Sequence, residues 1–201
     1  AAPEADRREK ERVMTRVVRL SAIALLALLT AGCMSMIAPE GDMFMKARWG
    51  PLETRMEERV KDLSSATTYD TYHLCTAYAN LKRYNKLFPC LDRYEACINK
   101  GDRRILGLTD VSHEPNNLRA IAYMELGDYA RAVAEAEKAF RIVEERDLMR
   151  ASRIRVLGTL SLAHALNRDR PKAAQYAAKL EDIGTYYPFV LLKTDKVVAL
   201  A

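Results

Sequence analysis

The sequence predicts an all-α fold, a short stack of antiparallel helix hairpins. Three observations point there. Ala, Leu, Arg and Glu abound, while 201 residues hold only 8 Gly and 7 Pro, a balance that favours helix. Apolar residues recur at spacings of three and four along most of the chain. One pattern of small and aromatic residues also returns three times in order. The same composition excludes other classes. At 49% hydrophobic and 29% charged the chain is not globally disordered. Four cysteines are too sparse for a disulfide-dense mini-protein. Charges recur everywhere except in one short window, so the chain is not a polytopic membrane protein. A net charge of +5 does not argue for nucleic acid.

Residues 1–13 are dense in charge, and Met14 makes a natural start with a short basic region. Residues 1–13 are therefore read as an upstream extension, outside the fold. Arg16 and Arg19 precede the uncharged window Leu20–Leu29, and Thr30-Ala31-Gly32-Cys33 follows it. A basic region, about ten apolar residues and small residues before a cut site are the parts of a secretory signal. Leu29-Thr30-Ala31-Gly32-Cys33 resembles the lipobox of bacterial lipoproteins, although Thr30 stands where Leu is commoner. The resemblance implies a signal peptide over 14–32, cleavage before Cys33, and acyl chains on Cys33. Met34 rather than Asp after the cysteine implies delivery to the outer membrane, facing the periplasm. The competing reading is an uncleaved anchor. Leu20 to Ala38 is nineteen uncharged residues, just enough to span a bilayer, but Thr30, Gly32 and Ser35 make its second half poorly apolar. Beyond Cys33 the net charge falls to +3.

Residues 33–50 read as a tether interrupted by Pro39, Gly41 and Gly50, with a short helical turn expected over Met43–Trp49. The helical domain is expected over 51–201. Pro51 suits the first position of a helix, and Leu52, Met56, Val60 and Leu63 mark an amphipathic helix of about fourteen residues. Three aligned hairpins follow. Tyr78, Tyr123 and His164 share one register position, with Cys75, Ala120 and Ser161 three before it and Leu87, Ala132 and Ala173 nine after it. The second helices carry Leu91 and Tyr94, then Ala136 and Ala139, then Ala177 and Leu180. Gly127-Asp128 and Asn167-Arg168-Asp169 supply tight turns. Asn99 to Pro115 reads as a long loop, and Arg141 to Arg155 as lengthened helices. The segment 186–192 is left as a capping helix or an extended tail.

Small residues where helices cross, an aromatic above them and a tight turn resemble the tetratricopeptide repeat, most closely in Ala120, Tyr123, Gly127, Tyr129, Ala132 and Ala139. The spacings of 45 and 41 residues between register positions exceed the family's 34. The alternative is a generic helical bundle with Ala-rich seams. The resemblance implies an α-solenoid whose first helices line a groove formed by Tyr69, Tyr72, Thr76, Asn80, Asn117, Ile121, Met124, Glu125, Leu162 and Leu166. No row of Lys or Arg is among them, so the groove is unlike the carboxylate clamp of chaperone-binding members.

Chemistry is sparse. His73, His113 and His164 show no metal spacing, and neither a phosphate loop nor a nucleophile elbow is present. The sequence calls for no catalytic residue, cofactor or metal. His164 reads as a packing residue, and Glu144-Glu145 as a solvated face. Cys90 and Cys97 lie about 10.5 Å apart along a helix, too far to bridge. Folding the hairpin about Arg83 brings Cys75 beside Cys90, so a disulfide between them is expected in an oxidising compartment. The alternative is two small buried side chains.

The leading function is an envelope interaction and assembly scaffold that binds a partner segment in the groove and meets the membrane through Cys33. Outer-membrane assembly, secretin or pilus biogenesis and polymer export are settings where such lipoproteins occur. The alternative is an accessory subunit, or a ligand sensor or enzyme that uses loop 99–115, where Asp102, Arg103, Arg104 and His113 are candidates for an anion site.

Overall fold

The structure, a computed structural model, describes residues 39–184. Cys33, the signal segment and the tail after Gly184 lie outside the described residues. The chain divides into two compact units, residues 1–46 and 47–201. In the first, helix α1 (Pro39–Met45) is closed by an ion pair of Lys46 with Asp42 at 2.8 Å. The helical turn expected over Met43–Trp49 thus lies earlier. Pro39 suits a helix start because it has no amide hydrogen to leave unbonded there.

Among its described residues the second unit is all-α apart from a two-stranded ribbon. Helix α2 (Trp49–Arg59) buries Leu52 and Met56 completely. It starts two residues before Pro51 and stops short of Leu63. Asp62 turns the chain instead, accepting from the Ser64 amide at 2.9 Å to open the 3-10 turn Leu63–Ser65. Helix α3 (Thr68–Asn80) opens on a capping box, in which the Thr67 amide donates to Asp70 at 3.0 Å and the Asp70 amide to the Thr67 hydroxyl at 3.3 Å. Helices α4 (Tyr84–Asn99), α5 (Glu114–Glu125), α6 (Tyr129–Glu145), α7 (Arg150–Leu166) and α8 (Arg170–Gly184) complete the order. Each packs on the next, and α3 also touches α5, as α5 does α7. Three hairpins, α3–α4, α5–α6 and α7–α8, therefore stand with their first helices adjacent.

The repeat is visible in the backbone. After α3, α5 and α7 the chain turns through Lys82 (φ 58°), Gly127 (φ 78°) and Arg168 (φ 64°), each four residues past the register position. The amides of Arg83, Asp128 and Asp169 donate to the carbonyls of Tyr78, Tyr123 and His164, every time at 2.9 Å. This six-to-one bond is the Schellman closure, which satisfies carbonyls that a helix end otherwise leaves open. The small residues Cys75, Ala120 and Ser161, and Leu87, Ala132 and Ala173 beyond the turn, are all fully buried. Ser161 stays satisfied by donating to the Ala173 carbonyl at 2.8 Å. Ala120, Ala132, Ala136, Leu160 and Ala163 form one continuous core, with Tyr123, Met124, Phe140 and Tyr176 packed against it. Alanine at these crossings lets α5, α6 and α7 approach closely, so core volume comes from the aromatic rings.

Segment 99–115 is more ordered than a loop. It holds an antiparallel ribbon, β1 (Arg104–Ile105) with β2 (Thr109–Asp110). Asp102 ties the segment back by accepting from the Thr68 amide at 3.0 Å, and Val111 to Leu118 are buried. The expected helix lengthening holds for α6 and α7, at 17 residues each, with a break at Arg146–Met149 between them.

Candidate functional site

The residues expected to line a groove lie on α3, α5 and α7 and differ in burial. Tyr69, Tyr72, Thr76, Ile121, Met124, Leu162 and Leu166 are half-buried, while Asn80 and Glu125 are exposed. Tyr72 meets Tyr94 edge to face with centroids 6.4 Å apart. Thr76 donates to the Tyr72 carbonyl at 2.7 Å, and Asn80 to the Thr76 carbonyl at 2.8 Å. Glu125 bridges to Lys82 at 2.6 Å, linking the C-terminal ends of α3 and α5. Asn117 departs from the expectation. It is 1% exposed, covered along with the rest of the buried run 111–118, and cannot offer surface to a partner.

Beside Asn117 lies a buried polar cluster. His113 is fully buried and Glu114 nearly so, with His113 Nε2 3.1 Å from Glu114 Oε1. Arg155 reaches across from α7 and contacts the same carboxylate oxygen, its own side chain 44% exposed. Burial, helped by the Arg155 charge, pushes the His113 pKa down to about 3. The Asp110 carboxylate opposes this shift without reversing it. Among the described residues neither His113 Nδ1 nor Asn117 Oδ1 has a hydrogen-bond partner. Tyr94, completely buried, donates to the Val111 carbonyl at 3.5 Å, and burial raises its pKa well above the usual phenol value. Asp110 seals the edge. Ser112 donates to it through its amide at 2.9 Å and its hydroxyl at 2.6 Å, and Arg103 and Arg146 stand 3.4 and 3.6 Å away. Burial opposes its ionisation, but the Ser112 hydrogen bonds and the two guanidinium groups win and lower its pKa.

The anion cluster expected from Asp102, Arg103, Arg104 and His113 does not converge. Asp102 caps α3, Arg103 pairs with Asp110, Arg104 is exposed on β1, and His113 is sealed inside. Among the described residues no group of three or more His, Cys, Asp or Glu is arranged to hold a metal ion. No helix among them is long and apolar enough to cross a membrane.

The chain matches no family model, no curated protein and no solved structure. The site therefore rests on its own residues. Cys75 and Cys90 are joined across the first hairpin with α-carbons 5.8 Å apart. Cys97 is free and buried, and burial raises its thiol pKa. His164 is 1% exposed and lies 3.3 Å from Asp169, yet burial holds its pKa below the usual imidazole value. Glu114 and Arg155 were not singled out by sequence. The signal for Glu114 was a polar run, His113-Glu114-Pro115-Asn116-Asn117, at the start of a helix, and Arg155 had none.

Proposed function

We propose that the chain is a lipid-anchored interaction scaffold of the bacterial cell envelope. Acyl chains on Cys33 hold it at the periplasmic side of the outer membrane. Tetratricopeptide-like hairpins then bind a segment of an envelope protein across the first helices. The observation that carries the reading is the row of half-buried Tyr72, Ile121, Met124, Leu162 and Leu166 on three adjacent first helices. Such a mixed surface suits a strand or helix laid across it, and Met124 can adapt its shape. Crosslinking and mass spectrometry in intact cells identifies the partner. Pull-down with Tyr72→Ala, Met124→Ala then tests the groove, and undiminished recovery removes it. Cys33→Ala is expected to abolish lipid labelling, whereas a variant still firmly in the membrane favours a spanning anchor.

A second reading is a ligand sensor or accessory subunit working through segment 99–115. It draws on the buried His113, whose Nδ1 has no hydrogen-bond partner among the described residues, beside the Glu114–Arg155 pair. A thermal-shift screen of small polar ligands against the chain and its Arg155→Met variant tests it. Ligands that stabilise both equally count against it.

A further inference from the structure

The ribbon at the start of the second hairpin carries two features that nothing inside the fold accounts for. Leu106 and Leu108 are 77% and 83% exposed, among the largest exposures of any apolar side chain described. Leu106 also sits at φ 52°, next to Gly107 at φ 71°. The turn is closed by the Leu108 amide on the Ile105 carbonyl at 3.0 Å. Two successive left-handed residues are what a tight hairpin turn demands, and Asn, Asp or Gly ordinarily fill them. A branched apolar side chain at the first is unfavourable for the backbone and unfavourable in water. The fold gains nothing from it, since the side chain projects away from the core.

The collar around this tip is cationic. Lys100, Arg103 and Arg104 are exposed. The acidic neighbours are turned to internal duties, Asp102 as the cap of α3 and Asp110 as the partner of Ser112, Arg103 and Arg146. Neither Lys100 nor Arg104 has an ion pair with a described residue. An apolar tip above a basic collar is the arrangement that enters an anionic lipid surface, with leucines among the acyl chains and cations among the phosphates.

We propose that the ribbon tip, Leu106-Gly107-Leu108 with Lys100 and Arg104, docks into the surface of an anionic phospholipid bilayer. This deepens the membrane part of the function proposed above, yet it stands on the ribbon's own residues and needs no acyl chain at Cys33. Contact at the ribbon would give the hairpin stack a second point of attachment and orient its face relative to the membrane.

The chain has a single tryptophan, Trp49, so a reporter can be moved. The full chain carrying Trp49→Phe and Leu108→Trp is reconstituted into vesicles of phosphatidylglycerol and phosphatidylethanolamine with brominated acyl chains. Contact with the acyl region is expected to quench the indole emission by about half or more. In the Cys33→Ala background, Lys100→Gln with Arg104→Gln is expected to weaken vesicle binding about twenty-five-fold, at about fivefold per cation removed. Flotation of the same samples reads anchoring separately. A chain that floats without quenching overturns the ribbon proposal and leaves the anchor standing. Quenching that persists in Cys33→Ala supports the ribbon even if lipid labelling shows no acylation. Equal quenching in wholly neutral vesicles overturns the anionic preference. A blue shift without bromine quenching means that protein covers the tip, and overturns the proposal.

Discussion

Acidification isolates the buried His113. Its ring is fully enclosed and its pKa falls from 6.5 to about 3. Below pH 6.5 the unfolded chain takes up a proton at this histidine, while the native protein does not until about pH 3. Native stability is therefore complete above pH 6.5 and is lost as pH falls through that window. One pH unit is worth about 1.4 kcal/mol, so pH 5 costs about 2 kcal/mol from this side chain alone. With a urea slope of about 2 kcal/mol per molar, the unfolding midpoint moves down by about 1 M. Other groups titrate in the same range, His164 in the same direction. The measurement is therefore a difference. Urea midpoints of the protein and of His113→Gln are compared at pH 7 and pH 5. The variant starts less stable, but its loss between the two pH values is expected to be smaller by about 2 kcal/mol. Equal losses in both proteins would refute the placement of a neutral histidine in that cluster.

The bond between Cys75 and Cys90 closes a separation of 15 residues, which is worth about 3 kcal/mol by loop closure. Melting with reductant is expected to lower Tm by about 6–12 °C and to leave Cys75→Ala, Cys90→Ala unaffected. A Tm in the unmodified protein that is insensitive to reductant counts against the bond. Arg168 adopts φ 64° at a turn where its counterpart is Gly127, so Arg168→Gly is expected to raise stability by roughly 0.5–1 kcal/mol in chemical denaturation. Leu160, fully buried in the α5–α7 core, is expected to cost about 2–5 kcal/mol on Leu160→Ala, and a smaller loss would mean that the alanine seams collapse readily.

The hairpins were legible because their determinants are local. Register residues such as Ala120 and Tyr123 lie a few positions apart, and the turn at Gly127 announces itself by its glycine. The turn at Arg168 was legible from Asn167 and Asp169 beside it, whereas at Lys82 a charged residue hides the left-handed backbone. The candidate site was poorly legible for the opposite reason. Glu114 and Arg155 are 41 positions apart in the chain and meet only when α5 and α7 pack. Read singly, each is an ordinary charge on a helix. Asn117 misled because the repeat resemblance placed it among the groove positions. It is buried with the whole run 111–118, and no periodicity records this. The ribbon escaped notice because two residues per strand leave no alternation to detect.

The crosslink of the first hairpin spans only α3 and α4. Both sulfurs are on the chain before α5 begins, so a polypeptide threading N-terminus first can seal this hairpin while the other two are still unmade. The bond then holds together the two helices on which α5 packs. Each later hairpin adds to a surface already set. An oxidant that reaches Cys75 and Cys90 therefore acts on the hairpin that the other two follow along the chain.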